Sequence, residues 1–127
     1  MAGIPLNTFR TVTYKPTNDD QVVYIANTGL TSIILMAQAA VTGEDQKNIT
    51  FKHWRSAGGQ LPDLGGSPIG DDTHTTILSQ AIIPPNDALI LLGGKLVLET
   101  FDYFTLKVND NLGEVEFISS ILETANQ

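Results

Sequence analysis

Cysteine is absent from the 127-residue sequence, which excludes disulfides, thiolate nucleophiles and cysteine-ligated zinc or iron–sulfur centres. Basic residues are few: 7 Lys and Arg stand against 14 Asp and Glu, a formal net charge of −7. Nucleic-acid binding depends on clustered cations that displace counterions from phosphates, so no nucleic-acid partner is expected. The chain has no run of the roughly eighteen apolar residues that a membrane helix needs, and its start, MAGIPLNTFRTVTYKP, shows no basic stretch leading into an apolar one. A soluble protein made and kept in the cytoplasm, with no membrane partner, is the expectation. What is present is one domain's length of chain, 42% apolar, enough to bury roughly two-thirds of its unfolded surface without a metal or a cross-link. A single domain over 1–127 with no cofactor is therefore expected.

Helix signals are scarce as well. Val, Ile, Thr, Tyr and Phe recur in short alternating runs cut by Gly, Pro, Asn and Asp, which predicts an all-β fold of eight or nine strands. Residues 7–15 place Arg10, Val12 and Tyr14 on one face and end in the turn Pro16-Thr17-Asn18-Asp19-Asp20. Residues 21–26 are apolar on both faces, as in a central strand sandwiched between layers. Residues 32–41 mix helix formers, Met36 to Ala40, with the β-prone Ile33, Ile34 and Leu35, and the strand-like neighbours decide for strand. Thr42-Gly43-Glu44-Asp45 reads as a hairpin turn into a strand over 47–55, with Ile49, Phe51 and His53 on the core face and Thr50, Lys52 and Trp54 on the other. Further strands are expected over 73–83, 88–92, 95–99, 102–108 and 115–122, with Gly93-Gly94 and residues 109–113 as hairpin loops. The pattern predicts an antiparallel β-sandwich of the jelly-roll or immunoglobulin-like kind.

Residues 56–72 stand apart, because five glycines and two prolines cannot sustain a ladder and the stretch is long for a connection. It also contains Leu61, Leu64 and Ile69, and Trp54 lies just before it; a solvated linker needs no such anchors. The expectation is a docking arm, mobile in the free protein and ordered against a neighbouring subunit, with Trp54, Leu61, Leu64 and Ile69 at the interface.

Catalytic patterns are missing. No GxSxG elbow projects a serine, and Gly93-Gly94-Lys95 joins two strand-like runs instead of opening a helix as a phosphate loop does. Asp71, Asp72 and His74 could share a metal, but their spacing matches no ligand signature, and the oxygen ligands of residues 109–114 do not follow the order of a calcium loop. Asp102 could orient a histidine, with no nucleophile in recognisable context beside it. No catalytic, cofactor or metal residue is expected.

Three stretches carry a family resemblance: Ile82-Ile83-Pro84-Pro85-Asn86, then Ala88-Leu89-Ile90-Leu91-Leu92-Gly93-Gly94-Lys95-Leu96-Val97-Leu98-Glu99, and the closing residues 115–124. Together with the turn at Ile25-Ala26-Asn27-Thr28 they resemble small virion proteins of tailed phages, common in cyanophages and marine phages, over about two-thirds of the chain. The departures are Phe101-Asp102, where that family has Gly-Asp, and the glycine-rich residues 56–72, which have no counterpart. The resemblance implies a structural role in the virion without cofactor or catalysis. A capsid decoration or cement protein that binds the outer shell is expected, a homo-oligomer with the major capsid protein as partner. A neck, tail or baseplate component, with neck or tail proteins as partners, is the alternative within the virion. A carbohydrate-binding sandwich with Trp54 and Tyr103 stacked on a sugar ring is the alternative outside it.

Overall fold

The computed structural model describes residues 7–125, and all of its regular structure is β. Nine strands follow in order: β1 (Asn7–Tyr14), β2 (Gln21–Ile25), β3 (Leu30–Val41), β4 (Lys47–Arg55), β5 (Thr73–Ile83), β6 (Ala88–Ile90), β7 (Leu96–Leu98), β8 (Tyr103–Val108) and β9 (Val115–Ala125). They form two antiparallel sheets packed face to face. Sheet I has the order β1-β9-β3-β6, with β7 also on β3, and sheet II the order β2-β8-β4-β5. If β6 and β7 are taken as one interrupted strand, this is the jelly-roll order, in which successive strands pass back and forth between the sheets.

The expected strands form, but the expected hairpins do not. Residues 42–45 and 109–113 each carry the chain from one sheet to the other, because β3 and β9 belong to sheet I while β4 and β8 belong to sheet II. Gly93-Gly94 joins two strands that are both antiparallel to β3 and therefore run the same way, so they cannot pair with each other. Only β4 and β5 are neighbours in both chain and sheet, and their connection is the long glycine-rich segment.

The core lies between the sheets and is filled by the alternating inward residues of both. Phe104 of β8 is at its centre, with ring centroids 5.2 Å from Phe51, 5.7 Å from Phe117 and 6.4 Å from Tyr24. Ile34, Ala37, Ala39, Phe117 and Ile121 close over it from sheet I. The small Ala37 and Ala39, helix formers by propensity, are in a strand because their inward positions face these rings. The buried core overrides the local preference.

Candidate functional site

The outer face of sheet II carries the residue singled out by sequence. Alternation points Trp54 away from Ile49 and Phe51, as expected, and into a row across three strands: Tyr103 of β8, Trp54 of β4 and His74 of β5. The Trp54 and Tyr103 rings are parallel within 2° at 5.9 Å, and His74 lies 4.7 Å from Trp54 on the neighbouring strand. The indole N–H donates to Thr105 Oγ1 at 2.9 Å, so the polar edge of Trp54 is satisfied within its own sheet.

Residues 56–72 are tied to the Tyr103 end of this row. Gly65 N donates to the Val22 carbonyl at 2.7 Å, and Val22 N donates to the Gly66 carbonyl at 2.9 Å, so the segment adds one rung to the edge of β2. Asp72 closes the loop, accepting from Ala57 N at 2.8 Å and from the Tyr103 hydroxyl at 2.5 Å. Burial, and then the bond to Asp72, raise the Tyr103 pKa, so the phenol keeps the proton that it donates. Tyr103 is wholly buried, which corrects one expectation: it has no free face for a sugar ring. Of the four anchors, Trp54, Leu61 and Ile69 are half-buried, and Leu64 is exposed at 67%. The Asp71, Asp72 and His74 side chains are not gathered into one site, since Asp72 points to Tyr103 while His74 lies on Trp54.

Asp102 does meet a histidine. Its carboxylate accepts from Arg55 Nε and Nη2 at 3.3 and 3.2 Å, from Glu99 N at 3.0 Å, and lies 3.1 Å from His53 Nε2. These contacts saturate the buried carboxylate beside a shallow cleft of about 270 Å³ that Ser56 and Thr100 also line. His53 therefore meets the carboxylate through Nε2, beside the Arg55 guanidinium. The cluster pins the turn before β8, where Phe101 has φ +74°. Glycine is the residue that takes this conformation without steric cost.

Two buried charged groups had no clear signal in the sequence. Lys47 at the start of β4 is almost fully buried, with Nζ 2.5 Å from Asp110 and 3.0 Å from Glu114, and so anchors the 109–114 crossing. Glu123 takes an inward position on β9, where it accepts from the Tyr24 hydroxyl, which also meets Ser32 Oγ at 2.8 Å; Arg10 lies 3.7 Å away. Burial first, and the bond to Glu123 second, push the Tyr24 pKa up. The only signal was positional: 115, 117, 119, 121 and 123 share one parity, and Glu123 is the charged member.

The outer face of sheet I is different, because no segment among the described residues covers it. Pairing aligns Phe9, Leu122, Ile33 and Val97 in one row across four strands. A second row runs Thr13, Ile118, Gln38 and Ile90. Phe9 is 74% exposed, Ile90 69% and Val97 50%. The charges paired on this face, Lys15 and Glu116, meet at 3.7 Å beside a depression of about 720 Å³.

No family model and no curated protein matches the chain. The two outer faces of the sandwich therefore differ: one is partly covered by the protein's own loop, and the other exposes apolar side chains among Thr11, Thr13, Gln38 and Ser120.

Proposed function

We propose that the chain is a non-catalytic capsid decoration protein of a tailed phage, which seats the outer face of sheet I on the particle's shell. The bare rows of Phe9, Leu122, Ile33 and Val97 and of Ile118 and Ile90 carry this reading. Exposed apolar side chains gathered on one sheet face mark an interaction surface. The resemblance to small virion proteins supplies the kind of particle, and the jelly-roll order suits it, since capsid domains use that architecture widely. The polar clusters found at Asp102 and Lys47 are consumed in holding turns.

The experiment uses purified particles and the chain added back to particles that lack it. Hundreds of copies per particle are expected, and Phe9→Asp and Ile90→Asp should keep the melting curve while losing attachment, both side chains being largely exposed. A few to a few dozen copies would move the protein to the neck, tail or baseplate. Full attachment by both variants would move the contact off sheet I and return it to the 56–72 arm and Leu64. Absence from particles would overturn the reading.

A further inference from the structure

A β-sandwich has strand edges as well as faces, and an edge with unpaired N–H and C=O groups is a template for another strand unless something defends it. On sheet II, the β2 edge is blocked where Gly65 and Gly66 pair with Val22. On sheet I, β6 and β7 are three residues each, and β1 carries Arg10 in its middle. The fourth edge, β5, is undefended over its first four residues. It is eleven residues long, THTTILSQAII, and contains no Asp, Glu, Lys or Arg. Thr73, His74, Thr75 and Thr76 are exposed, their pairing with β4 is regular, and no described strand lies on their other side. Irregularity begins only after Thr76, and the prolines come only after the strand ends.

We propose that β5 is the surface through which the protein binds a second copy of itself, the two strands pairing antiparallel about a two-fold axis at Thr75. The two four-stranded sheets then become one of eight strands. An axis centred on a residue keeps outer face with outer face, so Thr75 lies opposite Thr75 of the partner subunit and His74 opposite Thr76 of the partner subunit, within the regular stretch of β5. Charge selects the second copy as occupant. Pairing about a two-fold sets a strand against itself, so any charge near its centre opposes its own image. In a chain of net charge −7, β5 is the long open edge where this repulsion is absent, whereas β1 would bring Arg10 close to its own copy. Threonine also suits such cross-strand pairs.

The inference is independent of the shell-binding role, because sheet I and the β5 edge are separate surfaces. Sedimentation velocity of the full chain at micromolar concentration should give twice the 13.7 kDa chain mass. Thr75→Lys sets two ammonium groups face to face and should give a monomer with an unchanged fold, while Thr75→Val keeps the dimer. If Thr75→Lys fails to fold, the pair His74→Lys with Thr76→Lys should give the monomer, and His74→Lys with Thr76→Glu should keep the dimer through opposite charges. A monomer for the unchanged chain, or a dimer that survives every lysine variant that folds, overturns the proposal. Neither result bears on attachment to particles.

Discussion

Phe101 shows how much one residue's backbone can decide. At φ +74° a Cβ crowds the following carbonyl, at a cost of about 1–2 kcal/mol that glycine avoids. Elsewhere alanine is the more stable of the two, because glycine gives the unfolded chain more freedom. Here the order should reverse: Phe101→Gly is expected to exceed Phe101→Ala by about 1 kcal/mol in urea unfolding. Both variants lack the ring, so the comparison isolates the backbone, and an alanine variant at least as stable as the glycine one would refute it. Lys47 gives a second test at this scale. Its hydrogen bond holds the Asp110 carboxyl below the ordinary range, and the bonds to Asp110 and then Glu114 raise the Lys47 ammonium. A lowered carboxylate contributes stability above its unfolded value, about pH 3.9, and loses it as pH falls through the folded value. A raised ammonium contributes below about pH 10.4 and loses it as pH rises through the folded value. The stability difference between the native chain and Asp110→Asn should therefore be flat from about pH 5 to 9 and shrink on both sides. A difference that does not change with pH would show that the ion pair contributes nothing.

At the scale of elements, Asp72 joins two ends of a loop that has no ladder of its own. Asp72→Ala removes its bonds to Ala57 and Tyr103, each of the charge-assisted kind, and should cost about 2–3 kcal/mol. Protease should then cut within 56–72 well before the domain melts; uniform resistance would mean that Gly65, Gly66 and the apolar contacts suffice to hold the segment. Strand positions were legible in the sequence because alternation and turn residues are local properties: the expected 47–55 and 73–83 match β4 and β5 end to end. Strand pairing was not legible. A hairpin and a sheet-to-sheet crossing use the same Gly, Asn and Asp, so residues 42–45 and 109–113 read alike in either role. The tie from Asp72 to Tyr103 was hidden for a related reason, since 31 residues separate the two and the fold alone brings them together. Trp54 was partly legible, its outward direction following from alternation and its Thr105 partner only from the arrangement of strands.

For the whole molecule, charge is segregated from the apolar rows of sheet I and from the β5 edge. Arg10, Lys15, Lys47, Lys52 and Arg55 face seven carboxylates, and most of the remaining negative charge lies in the turns, at Asp19, Glu44, Asp45, Asp63, Asp71 and Asp87. The apolar rows of sheet I and the open edge of β5 lie between these rims and carry almost none of it. Two copies that approach along either surface therefore repel through the distant turns and attract through the near contact. Added salt shortens the reach of the first effect, from a Debye length of about 20 Å at 20 mM to about 7–8 Å at 200 mM, and leaves the second almost untouched. Self-association should consequently strengthen with salt over that range, by roughly three- to tenfold for charges of this size. Attachment to a particle responds with a sign that reports its chemistry. Contact through the face of sheet I should hold or tighten as salt rises, whereas acidic turns seated on a basic shell would loosen steeply. Titrating particle attachment against salt separates the two, and a steep loss would place the binding energy in the turns and not in the apolar rows.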